Sequence, residues 1–177
     1  SGPSDDGYLM TIKVASDGTI TKIAQLENDT NYLWRNDVLK MYEDLYVLAY
    51  KAASNNLNLH TLKIPTDGSS ITVVQRTKID NYNYNKTDLI RLDKNTVLLS
   101  YEGYGSDGFI RSIDIAPDGK FTTISNWEHD VERGRMGSLV NVSANTFALA
   151  YHGYRDHQNS GYSWGHKIIT FSVDDNG

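Results

Sequence analysis

Leu45-Tyr46-Val47-Leu48-Ala49-Tyr50 returns as Thr96-Val97-Leu98-Leu99-Ser100-Tyr101, and again as Thr146-Phe147-Ala148-Leu149-Ala150-Tyr151. The closing tyrosine steps by 51 and then 50 residues. Repetition at this period is the mark of an architecture built from copies of one supersecondary unit. A second segment occurs four times, over residues 8–18, 58–68, 109–119 and 167–177. Each copy holds a small hydroxylated residue: Thr11, Thr61, Ser112 or Thr170. An alternating apolar pair follows: Ile12 and Val14, Leu62 and Ile64, Ile113 and Ile115, Phe171 and Val173. Three copies end in Asp-Gly, and the last ends Asn176-Gly177.

Asp-Gly between alternating runs marks a hairpin, because glycine takes a positive φ at no steric cost. Alternation with period 2 marks strands with one face buried. No stretch has capped helical periodicity. The nearest, 36–51, aligns with strand pairs elsewhere in the chain.

One unit therefore reads as four strands. The first is short (38–42, 89–92 and 139–142) and the second is the Val-Leu-Ala-Tyr segment. The third is the hydroxyl segment, and the fourth follows the Asp-Gly turn (20–26, 71–77 and 121–127). Four antiparallel strands in about 50 residues, repeated, is the pattern of a β-propeller blade. A β-sandwich would show comparable strands without this repetition. The expected fold is all-β: about three to three-and-a-half blades of a larger or oligomer-completed ring. The blades read as a partial one at 7–29, full ones at 36–80 and 87–130, and a partial one at 138–177. Residues 1–6 read as a tag scar or a disordered N-terminus. In this count the third-strand segment is present four times and the others three times each. Since propellers close with four to eight blades, the chain is expected to be a segment of a longer array or a self-assembling unit with one strand exchanged.

The spacing and the terminal tyrosine resemble the kelch and FG-GAP propeller repeats in a general way. They are closer to the Asp-Gly-containing repeats of secreted or surface proteins of microbes. That resemblance implies an extracellular or cell-surface location and a binding or scaffold role. The Gly-Gly pair of kelch and the dense acidic calcium loop of FG-GAP are missing, so no binding residues carry over from either.

Composition narrows the chemistry. The formal charge of −5 and the lack of basic runs argue against nucleic acid and anionic membranes as partners. With no cysteine, disulfides, thiolate metal sites and cysteine nucleophiles are excluded. No apolar run has the length of a membrane span. No nucleophile elbow, P-loop or dinucleotide fingerprint occurs. His152, Asp156, His157 and His166 bracket one insertion, but without metal-ligand spacing. No metal or other cofactor is expected. Sequons at Asn28, Asn85 and Asn141 occur about as often as chance gives. The recurring Asp29, Asp80 and Asp130, each closing a fourth strand, are expected to bond turn amides.

Loops from the fourth strand to the next first strand share one rim with the second-to-third loops. That rim is long and aromatic. It carries Tyr32, Trp34, Tyr82, Tyr84, Tyr104, Arg133 and Arg135. The longest loop, read at 152–165, adds Tyr154, Arg155, Tyr162 and Trp164. Tyrosine and tryptophan give rigid contact area, and asparagine and arginine give adaptable hydrogen bonds. The alternative use of these rings is packing between blades. The rim reads first as a non-enzymatic binding face for glycan or protein. Two other readings stand beside it: part of a carbohydrate-active hydrolase, with Arg155, Asp156 and His157 in the special loop, or a structural self-assembly unit.

Overall fold

Thirteen strands form four antiparallel sheets in the computed structural model, which describes residues 6–31, 33–82, 85–155 and 163–174, with the backbone alone at 54, 155, 163 and 164. The first sheet pairs β1 (Gly7–Val14) with β2 (Ile20–Asp29). The second holds β3 (Trp34–Lys40), β4 (Leu45–Lys51), β5 (Leu57–Lys63) and β6 (Thr72–Asp80) in chain order. The third repeats this with β7 (Asp88–Arg91), β8 (Thr96–Glu102), β9 (Gly108–Ile115) and β10 (Phe121–Asp130). The fourth has β11 (Arg135–Ser143), β12 (Thr146–Arg155) and β13 (Ser163–Ser172). Two full propeller blades thus stand between two partial ones.

Burial shows why the second strand of each full blade reads as a continuous apolar run. A sheet covered on both faces needs apolar residues at every position. On β4, Val47 and Ala49 face the third sheet, while Leu48 and Tyr50 face the first. On β8, Leu99 and Tyr101 face the second sheet and Leu98 faces the fourth. On β12, Phe147, Leu149 and Tyr151 are buried against the third sheet. The opposite face of that last sheet carries Val140, Val142 and Ile168, the last 76% exposed. The other end of the stack presents Met10, Ile12, Val14 and Ile20, all exposed.

The two repeating motifs are the joints between blades. Thr11 Oγ1 donates to the Gly68 carbonyl at 2.6 Å, and Thr61 Oγ1 to the Gly119 carbonyl at 2.5 Å. The third strands β1 and β5 are thereby tied to the Asp-Gly turns of the blades that follow them. Directly after the hydroxyl residue the register slips by one, leaving Ile23, Val74 and Ile124 as β-bulges on the fourth strands. Val74 lies against Gly119, where an added Cβ would meet its Cγ1 at 2.7 Å. The turns place glycine at the fourth position with positive φ (86°, 69° and 91° at Gly18, Gly68 and Gly119). The preceding aspartate, Asp17, Asp67 or Asp118, accepts the amide two residues on.

Two of the first strands begin earlier than the sequence reading, at Trp34 and Arg135 rather than at 38 and 139. The fourth strands end at Asp29, Asp80 and Asp130 as the sequence reading has it, each aspartate clasped by the next blade. Within the loop read at 152–165, the described residues are strand: His152 pairs with His166, Gly153 with Gly165, Tyr154 with Trp164 and Arg155 with Ser163.

Candidate functional site

Each clasp joins a fourth-strand aspartate to the closing tyrosine of the next blade. Tyr50 donates to Asp29 Oδ2 at 3.0 Å, Tyr101 to Asp80 Oδ2 at 3.1 Å and Tyr151 to Asp130 Oδ2 at 3.0 Å. The other oxygen accepts turn amides from Asn31, Tyr82 and Glu132. The first strands are tied likewise, with the Leu89 amide on Asp37 and the Leu139 amide on Asp88. These carboxylates hold the fold and leave the rim loops to vary.

The rim above them carries a string of fixed polar groups crossing three sheets. It begins at the start of β3, where Arg35 Nη1 donates to Asn85 Oδ1 at 2.6 Å. Asn85 Nδ2 donates in turn to Glu102 Oε2. Glu102 ends β8, is fully buried, and meets Arg135 Nε through Oε1 at 2.8 Å. Arg135 also donates to Ser106 Oγ at 2.6 Å. Arg35 and Met136 take positive φ (51° and 54°) at the bulged starts of β3 and β11. A non-glycine residue in this region is uncommon and clusters at functional sites.

Aromatic rings flank the string. Trp34 is 49% exposed, with the Lys51 ammonium 5.8 Å from its ring. Burial, then Arg35, hold the Lys51 amine below its usual pKa. Tyr104 is 68% exposed on a 3-10 turn over Tyr104–Ser106, its ring 4.8 Å from that of Tyr82. Farther along, the Arg133 guanidinium lies 4.8 Å from the Tyr154 ring, and His152 meets His166 edge-on at 4.5 Å.

The structure thus brings together Tyr82 with Tyr104 and Arg133 with Tyr154, and sets Trp34, under Lys51, next in sequence to Arg35, where the string to Arg135 begins. Tyr32, Tyr84 and Tyr162 lie outside the described residues, as do Asp156, His157 and the side chains of Arg155 and Trp164. Sequence reasoning set Arg35, Asn85, Glu102 and Ser106 in the rim loops without making them candidate binders, and missed Lys51. One signal was available: the residue after each closing tyrosine (Lys51, Glu102, His152) is polar at a rim position while its neighbours are apolar. Among the described residues no group of three or more histidines or carboxylates converges on a metal position.

Blades of this kind define the class as far as fold goes: the chain is part of a β-propeller. It is similar to the α-L-arabinofuranosidase Arb93A from Fusarium graminearum, solved with an iminosugar inhibitor. The TM-score is 0.57 at 12% identity, over 96% of this chain and 55% of that one. The chain spans about half the length of that enzyme, and the likeness is one of fold. No family model matches the sequence. No curated protein matches it either.

Proposed function

We propose that this chain is part of a carbohydrate-recognising propeller and that its aromatic rim is the sugar-binding face. The observation that carries the reading is the pairing of exposed Trp34 and Tyr104 with the fixed string Arg35–Asn85–Glu102–Arg135. A sugar ring lays its C–H face on an indole or phenol and offers hydroxyls to arginine, asparagine and carboxylate. Donors held by one another lose little entropy on binding. The similarity in fold to an arabinofuranosidase supports a carbohydrate ligand and suggests arabino-oligosaccharides as the first probes.

A hydrolytic role needs two carboxyl groups, about 5 to 9.5 Å apart across the scissile bond. Glu102 is engaged by Arg135 and Asn85 and reads as a positioning group for those donors. Recognition is therefore the reading for this segment.

The test is calorimetric titration of the chain with arabino-, xylo- and gluco-oligosaccharides, repeated on Trp34→Ala and Tyr104→Ala. Binding by the parent that weakens tenfold or more in Trp34→Ala, about 1.4 kcal/mol, is the expected result. Absence of binding to the whole panel, or equal binding by both variants and the parent, overturns the proposal.

A further inference from the structure

The three clasps are copies of one joint, yet their surroundings differ. In the second copy, Arg111 from β9 donates to the Tyr101 hydroxyl at 2.9 Å and to the Ile79 carbonyl at 2.8 Å. Phe109 stacks on Tyr101 at 5.4 Å. In the third copy, Lys167 reaches Asp130 Oδ2 at 2.9 Å. The strand registers make Asn58 the counterpart of Phe109 and Lys167, and His60 that of Arg111. These smaller side chains leave a cleft of about 470 Å³ between the first and second sheets. That volume is in the range of small-molecule sites.

The cleft is lined by Asn28, Asp29, Tyr50, Asn58 and His60, with Arg76 at its mouth. Tyr50 has one hydroxyl proton, and Asp29 takes it. The Tyr50 oxygen accepts from Asn58 Nδ2 at 3.2 Å and lies 3.2 Å from His60 Nε2. His60 Nδ1 is 3.0 Å from the Asn28 amide, which is 2% exposed. The remaining end of that amide has no partner among the described residues. Whichever way round the amide lies, one buried polar atom is left over, and a buried polar atom without a partner costs about 1 to 3 kcal/mol. A hydroxyl group both donates and accepts, so it satisfies either orientation. The charges balance: Glu27 and Asp29 stand against Arg76 and Lys78, and burial keeps His60 neutral near pH 7. The lining therefore suits an uncharged, hydroxyl-rich ligand rather than an ion.

We propose that this inter-blade cleft is a second sugar subsite, in which a sugar hydroxyl pairs with the Asn28 amide over the Tyr50 and His60 rings. The proposal rests on the carbohydrate reading of the rim, and the two are separable. The probe is methyl α-L-arabinofuranoside, with methyl β-D-glucopyranoside beside it, titrated into isotope-labelled chain. The Asn28 side-chain amide, the His60 ring protons and the Trp34 indole N–H are followed by NMR. The expected result is saturable shifts at Asn28 and His60 as well as at Trp34. The paired replacement Asn58→Phe with His60→Arg, which grafts the filling of the next copy, should abolish the Asn28 shift and leave the Trp34 shift. Arg76→Ala, at an exposed mouth position, should weaken the Asn28 shift severalfold with folding unaffected. Shifts at Trp34 alone overturn the cleft while the rim stands. Shifts at neither site overturn both. An Asn28 shift that survives the filling replacement places the ligand elsewhere and also overturns the cleft.

Discussion

Replacing Thr61 by valine tests the inter-blade joint with almost no change of shape. Thr61 is fully buried on β5, and its hydroxyl donates at 2.5 Å to the Gly119 carbonyl of the following blade. Valine fills the same volume and suits a strand, so neither a cavity nor a propensity penalty arises. Two effects remain: the lost hydrogen bond, about 1 kcal/mol net, and the Gly119 carbonyl left in a covered interface, about 1 kcal/mol more. The expected loss is about 2 kcal/mol, which corresponds to a fall in Tm of about 4 to 8 °C for a chain of this size. Urea unfolding followed by tryptophan fluorescence reads it directly, with the m-value unchanged if only the native state is affected. Thr122→Val, at an exposed position on β10, is the control and should stay within about 0.5 kcal/mol. A Thr61→Val loss no larger than that of the control would refute the claim that the repeated hydroxyl joins one blade to the next.

Other outcomes follow from the same geometry. Gly119→Ala should cost more than Gly18→Ala: both positions have positive φ, but the new methyl meets Val74 at 2.7 Å in one and open space in the other. The difference should be 1 kcal/mol or more in urea unfolding. His129 is packed edge-on to Tyr151 at 4.7 Å, and neither ring nitrogen has a hydrogen-bond partner among the described residues. His129→Phe should therefore be neutral or stabilising by about 1 kcal/mol. Burial lowers the pKa of both His60 and His129 to about 4. The unfolded chain takes up these protons near pH 6.5 and the folded chain does not, so stability should be full above pH 6.5 and fall as pH drops toward 4. Urea midpoints between pH 7.5 and 4 should show this, and His129→Phe should flatten the curve. A flat profile in the parent would contradict the burial of both rings.

The blade was legible in the sequence because its two signatures are structural joints. The closing tyrosine recurs because each copy clasps the preceding aspartate, and at Thr11 and Thr61 the hydroxyl bonds the next Asp-Gly turn. The partners themselves were not legible. Tyr50 and Asp29 belong to different sheets, and no local pattern states that they meet. The 152–165 segment was read as a loop because it carries glycine and polar residues. The ladder from His152 to Arg155 shows that backbone pairing with 163–166 outweighs that composition. At the site, exposed Trp34 and Tyr104 could be picked out as rim aromatics. Glu102 and Asn85 could not, since their role comes from contact with Arg135 and Arg35 of neighbouring sheets.

The most direct measurement is a crystal structure of the chain soaked with an arabino-oligosaccharide at saturating concentration. The account predicts a sugar ring stacked on Trp34 or Tyr104, with hydroxyls within hydrogen-bond distance of Arg35, Asn85 or Arg135. Sugar bound only at the hairpin rim of Asp-Gly turns, or an aromatic rim left empty, would contradict it.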